Sequence, residues 1–308
     1  MLIILYGDIS NKSNWKQQRM IDGGSTCGYR EYARNFGHII YLCPQKIKLP
    51  WEHSIVKPKN VIKFINKYPD AIVWSVKHSP QKDIQILSKI KNKKIYYSCN
   101  AKNCYNMTCD VSLVDTEKRI RQNAKIFFKG KDPERGGNFN NIERKFDYLL
   151  MGTRGDKNEA FFINNLTNKI KDERSIIWIG GEKFKNRIKS SHHKIVLTKF
   201  IGEDDVRKKL VLGKVGIIFT ELQVEGFPQS FLEFTMSGLI TIYYINAPRN
   251  KFYFHKGNCV LCEKKNLIET SEKLLKNVND NDNDKCRKIA IENYSIEKSY
   301  KHIISLLR

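Results

Sequence analysis

The chain has 308 residues, 55 of them Lys or Arg against 32 Asp or Glu, for a formal net charge of +23. A hydrophobic content of 41% with 11% aromatics excludes a disordered polycation, and the length suits two domains with a core each. No apolar run approaches the roughly 20 residues that span a bilayer, and the opening Leu2 to Tyr6 run is too short for a signal-peptide core, so a cytoplasmic protein, soluble or peripheral, is expected.

In chain order, strand-like runs alternate with helical ones. Leu2 to Tyr6 reads as a strand, followed by a polar turn through Gly23 and Gly24, a helix over Tyr29 to Asn35, and a strand over His38 to Cys43. Further strands are expected at Ala71 to Val76, Lys94 to Ser98, Val111 to Val114 and Lys125 to Phe128, with helical spacing over Gln81 to Ile90. The stretch Lys129 to Lys145, rich in Gly, Asn and charge, reads as a linker. The rhythm then restarts with strands at Phe146 to Met151, Ser175 to Ile179, Lys194 to Phe200, Val215 to Thr220 and Leu239 to Ile245, and helices over Glu159 to Ile170 and Gln229 to Ser237. Such βαβ alternation predicts an α/β fold with parallel sheets. The Asn279 to Asp284 alternation reads as a solvated loop before the last helices, its Asp280 and Asp282 included, and no metal site is expected there. His192 and His193 lie in a polar stretch and are expected at the surface. Cys259-x2-Cys262 lacks a second pair for zinc; with irregular spacing throughout, the eight cysteines are expected to be mostly free thiols.

One segment carries chemistry: Glu225-Gly226-Phe227-Pro228-Gln229-Ser230-Phe231-Leu232-Glu233, running on to a Gly238 stop and another strand. It places a loop after a strand, then a helix start whose first N–H groups have no partner inside the helix and suit phosphate or sugar oxygens. Two carboxylates eight positions apart bracket that turn, and carboxylates are good acceptors for sugar hydroxyls. After the strand at Phe146 to Met151 comes Gly152-Thr153-Arg154-Gly155-Asp156-Lys157, a second glycine turn with cations placed to meet an anion.

The Glu225 to Ile242 stretch resembles the E-x7-E motif of retaining GT-B glycosyltransferases. The resemblance implies that Glu225 lies beside the transferred sugar and Glu233 binds the ribose of the nucleotide. Gly226, Phe227, Gln229 and Ser230 would offer backbone N–H groups. Gly152, Arg154 and Lys157 resemble the element that neutralises the donor diphosphate; Gly23 and Gly24, with Phe36-Gly37-His38, resemble the glycine turn of the first domain. Phe128-Lys129-Gly130-Lys131-Asp132 resembles the turn that closes that domain, and Asn293 to Lys298 the start of a helix returning to it. Where the family places a histidine near the donor sugar, this chain reads Tyr96-Tyr97-Ser98-Cys99-Asn100, with His78 at the end of the preceding strand. The implied architecture is two Rossmann-like domains facing across a cleft: residues 1–145 on the acceptor side, joined by a returning helix over 296–308, and 146–295 binding the nucleotide-sugar. The implied reaction transfers a hexosyl-type sugar, with UDP as the expected nucleotide, with retention and with neither a cofactor nor a metal.

The charge bears on the acceptor. Residues 1–149 hold 27 basic and 13 acidic residues, against 28 and 19 in the remainder, so a polyanion is expected to meet the first half. Basic runs include Lys89, Lys91, Lys93 and Lys94; Arg119, Arg121, Lys125, Lys129 and Lys131; and Lys183, Lys185, Arg187 and Lys189. A track of this kind suits DNA, with a hydroxymethylated pyrimidine as acceptor. An anionic membrane surface carrying an envelope-glycan or lipid-linked acceptor is the alternative, and a non-catalytic nucleic-acid-binding α/β protein is a third reading.

Overall fold

The computed structural model describes residues 3–6, 39–42, 55–56, 60–75, 88–98, 111–114, 124–126, 128, 130–131, 133, 142–152, 157–199, 201, 203–219, 228–247 and 251–307. Two parallel sheets are built from them. The first contains β1 (Ile3–Tyr6), β2 (Ile39–Leu42), β3 (Ile55–Val56), β4 (Ile72–Ser75), β5 (Lys94–Ser98), β6 (Val111–Val114) and β7 (Ala124–Ile126), in the order β3-β2-β1-β4-β5-β6-β7. The second contains β8 (Phe146–Met151), β9 (Ser175–Ile179), β10 (Lys194–Leu197), β11 (Gly213–Ile218), β12 (Ile240–Tyr244) and β13 (Cys259–Cys262), in the order β10-β9-β8-β11-β12-β13. Each order reverses direction after its first strand, as in a Rossmann sheet. Strands β3 and β13 were not anticipated; each is a short apolar run that becomes a strand by pairing at a sheet edge.

The described helices are α1 (Val61–Ile65), α2 (Lys157–Lys169), α3 (Glu203–Leu210), α4 (Gln229–Met236), α5 (Leu267–Asn277), α6 (Asp280–Tyr294) and α7 (Ile296–Leu307). The second sheet is covered on both faces, and the alternation of its strands decides what each face carries. Tyr148, Leu150, Ile176, Trp178, Val215, Ile217 and Ile242 point to one layer, where they meet Phe162, Ile163 and Leu166 of α2 and Leu267 and Ile268 of α5. Leu149, Ile177, Ile179, Ile218 and Tyr243 point to the other, against Val206 and Leu210 of α3, Phe231, Leu232 and Phe234 of α4, and Ala290 and Tyr294 of α6. Burying side chains of this size stabilises by about 1.5–3 kcal/mol each, so the two layers hold the sheet between them. None of the helices among the described residues is long and apolar enough to cross a membrane.

The last helix returns to the first sheet. His302 Nε2 lies 3.1 Å from the Ile126 carbonyl, Ser299 Oγ donates to the Phe128 carbonyl at 2.6 Å, and Lys125 Nζ donates to the Leu306 carbonyl at 2.8 Å. Phe128 itself sits in the core of the second sheet, 5.1 Å from the ring of Phe252.

Three expectations are corrected. The Asn279 to Asp284 segment is the start of α6: Asn279 Oδ1 accepts from the Asp282 N–H, and Asp282 Oδ2 accepts from the Asn279 N–H, both at 3.2 Å. That reciprocal cap, with acidic residues in the first turn, makes a good helix N-terminus from a low-complexity stretch. His193 is buried, its Nδ1 accepting from the Arg174 N–H at 3.3 Å, while His192 is exposed. Lys131, counted above with a basic surface run, is 1% exposed, because an acid awaits it inside. The helix expected over Gln81 to Ile90 falls mostly outside the described residues, and that over Tyr29 to Asn35 wholly outside them.

Candidate functional site at the sheet switch point

In the second sheet the strand order reverses between β8 and β11, which pair in parallel with Leu150 opposite Ile217. Both strands therefore end at the same edge, side by side. Beyond the carboxyl ends at such a reversal the connections diverge to opposite faces and leave a crevice. Sequence continues from β8 into Gly152 to Asp156 and then α2, and from β11 towards Glu225 to Pro228 and then α4. Gly152 and Phe219, the first described residues beyond the two strands, therefore lie at that edge.

Gly152 is anchored there by its N–H, which donates to the Ile179 carbonyl at the end of β9 at 3.1 Å. A Cβ on Gly152 would lie 2.2 Å from Glu159 Oε1, so glycine lets the Glu159 carboxylate lie close against the backbone of residue 152. Lys157 is the first residue of α2 and Gln229 the first of α4; the side chains of both lie outside the description. Helix α4 is capped by Pro228, which has no side-chain acceptor for the first-turn N–H groups. Ser230, half-buried, lies in that first turn. Glu225, Gly226, Phe227, Arg154, Gly23 and Gly24 lie outside the described residues, as do His78, Cys99 and Asn100.

Glu233 is one turn further along α4 and is buried. Lys131 Nζ meets its Oε1 at 2.6 Å, and Arg207 Nε of α3 donates to its Oε2 at 3.1 Å. Each cation's side chain is 1% exposed, that of the acid 8%. Burial alone would push the carboxyl's pKa up; the two cations outweigh it and hold Glu233 well below the usual carboxylate range. The group is therefore a fixed anion inside a cationic pair. A carboxylate has about four acceptor positions, so these two contacts leave room for others. Neither Lys131 nor Arg207 was singled out for this site: Arg207 sits in the charged run Glu203 to Leu210, which reads as a solvated helix, and nothing local marks the one buried cation in it.

Elsewhere the chemistry is structural. Tyr148 Oη and Arg174 both donate to Glu272, the tyrosine at 2.8 Å and the arginine through Nε at 3.0 Å and a terminal nitrogen at 2.6 Å, at the opposite edge of the sheet. Cys259 and Cys262 are free thiols on β13, pushed up by burial to about 12 and about 11, hence poor thiolates at neutral pH. Among the described residues, no group of three or more His, Cys, Asp or Glu is placed to hold a metal.

No protein-family model matches the chain, and no curated protein matches its sequence. Solved structures do match its fold. HepE of Anabaena, in complex with UDP, superposes with a TM-score of 0.69 at 11% identity, covering 99% of both chains. A glycosyltransferase from Rickettsia africae superposes at 0.71 with 13% identity, again over 99% of both. An alpha-glucosyltransferase in complex with UDP and a 13-mer DNA superposes at 0.66 with 10% identity, covering 100% of this chain and 99% of that one. At such identities the likeness is one of fold, and the fold is GT-B.

Proposed function

Given a GT-B chain, we propose that the protein is a glycosyltransferase that uses a UDP-sugar, with the donor held by residues 146–295 and the acceptor by residues 1–145 together with the helix over 296–308. The observation that carries this reading is the switch point: β8 and β11 end side by side at one edge, and the sequence runs from them through the two motif segments to the starts of α2 and α4. The occupied relatives of the same fold add UDP as the ligand to test first.

In this reading the first-turn N–H groups of α2 and α4 face the donor diphosphate. Arg154 and Lys157 neutralise the charge that grows on it as it leaves, so no metal and no cofactor is needed. Glu225 accepts from the sugar, Glu233 from the ribose, and the acceptor hydroxyl attacks as the nucleotide departs, with the anomeric configuration retained. Closure of the two halves would exclude water that otherwise hydrolyses the donor. Radiolabelled UDP-, GDP- and TDP-sugars incubated with the pure protein should show hydrolysis or transfer with the UDP donor. No turnover with any donor, or full activity in Glu225→Ala, would remove the proposal, and absence of nucleotide-sugar affinity would favour a non-catalytic binding protein.

For the acceptor, the charge favours DNA carrying a hydroxymethylated pyrimidine, since the excess of +23 is weighted to the first half and a phosphate track requires it. Transfer to hydroxymethylated duplex, falling steeply with salt, is the expected result. Transfer instead to a lipid-linked acceptor on anionic vesicles would reassign the charge to a membrane surface.

A further inference from the structure

The chain passes between its two sheets twice, outward after β7 and back between α6 and α7, and the two passages run side by side. Lys131 and Ser295 form an isolated parallel bridge, and the Lys131 N–H donates to the Tyr294 carbonyl at 3.3 Å. The outward passage is held on either side of Lys131, by Ser299 Oγ on the Phe128 carbonyl and by Arg287 on the Pro133 carbonyl at 2.9 Å. From this crossing the Lys131 side chain reaches into the second sheet's helix layer and ends on Glu233.

A buried ammonium is costly, and packing alone does not call for one: an apolar chain of the same length would fill the space without taking a charge out of water. Still less does packing call for two cations on the two oxygens of one carboxylate. The arrangement makes sense if Glu233 must present its remaining acceptor positions in one fixed direction. With Lys131 on one oxygen and Arg207 on the other, the carboxylate cannot rotate without breaking a charge-assisted bond. A vicinal pair of hydroxyls is the complementary donor for an acceptor locked in this way.

We infer that Lys131 and Arg207 are positioning residues for the donor: they lock Glu233 for the ribose diol of the nucleotide, and Lys131 ties that lock to the point where the chain crosses between its two halves. The inference rests on the reading of Glu233 as the ribose ligand. Neither cation touches the nucleotide; each acts through the carboxylate.

The test is calorimetric binding of UDP and of 2′,3′-dideoxyuridine diphosphate to the full chain and to Lys131→Met and Arg207→Met, with circular dichroism as the check on folding. The unsubstituted protein should prefer UDP by about tenfold or more, the usual worth of a hydrogen bond to a charged group. Each variant should bring that preference to within about threefold by weakening UDP, while its affinity for the dideoxy nucleotide stays within about twofold. Loss of a merely structural contact would instead weaken both nucleotides alike, and folded variants that keep the full preference overturn the inference while leaving the donor reading intact. An unsubstituted protein that binds UDP with no preference over the dideoxy form, or does not bind it, overturns the ribose assignment first and this inference with it. Should either Met variant fail to fold, Lys131→Gln and Arg207→Gln, which keep an N–H donor without the charge, are read by the same ratio.

Discussion

Replacing Glu233 by Gln keeps the shape of the side chain and removes the one anion between two buried cations. Lys131 and Arg207, each 1% exposed, are then left facing each other. Like charges on the order of 6 Å apart repel by about 3 kcal/mol at an effective dielectric near 20, and breaking a buried ion pair from one side costs about 3–5 kcal/mol. Lys131→Met and Arg207→Met behave differently, because each leaves Glu233 ionised beside its other cation; the charge-assisted bond lost on the carboxylate is worth about 1.5–3 kcal/mol. The order of stabilities is thus the prediction: Glu233→Gln lowest, the two Met variants above it. Urea unfolding followed through the fluorescence of buried Trp178 should show a midpoint lowered by on the order of 1 M or more in Glu233→Gln. The same acid gives a pH dependence. Because its folded-state pKa is depressed, its contribution is fully present above the usual carboxylate value and is lost as pH falls from about 5 downward; Glu233→Gln should lack that component. A Glu233→Gln protein as stable as either Met variant would refute the charge argument.

Other outcomes follow from single contacts. Gly216→Ala places a Cβ 2.4 Å from the buried ring of Phe234, which must shift α4 against β11; a loss of about 1–3 kcal/mol is expected in a thermal melt. Asn279→Ala removes the side-chain half of the cap on α6, the acceptor of the Asp282 N–H, and leaves the backbone half intact; it should cost about 1 kcal/mol, seen as faster hydrogen exchange at the Asp282 amide. Asn92 Nδ2 serves the carbonyls of Tyr68, Pro69 and Ala71 at 2.7, 3.2 and 2.9 Å. Asn92→Ala leaves those acceptors short of a donor and should lower stability in urea by about 1–3 kcal/mol.

The alternation of strand and helix was readable because buried parallel strands carry continuous apolar runs. Phe146 to Met151, Ser175 to Ile179 and the Gln229 helix fall within a residue or two of where they were expected. Local capping chemistry was also present in the letters at Asn279 and Asp282, but composition there pointed to a loop and hid it. Short edge strands such as β13 could not be told from loop, since four residues acquire strand geometry only by pairing with β12.

What the sequence determines by itself is thus the class of fold and the order of its strands and motifs, because periodicity and turn chemistry act over neighbouring residues. Only the tertiary structure decided that Lys131, Arg207 and Glu233 share one buried site. They come from three segments far apart in the chain, and while its motif marks Glu233, Lys131 and Arg207 look like ordinary surface charge. A charge is buried or solvated according to what packs over it, and no local pattern records that.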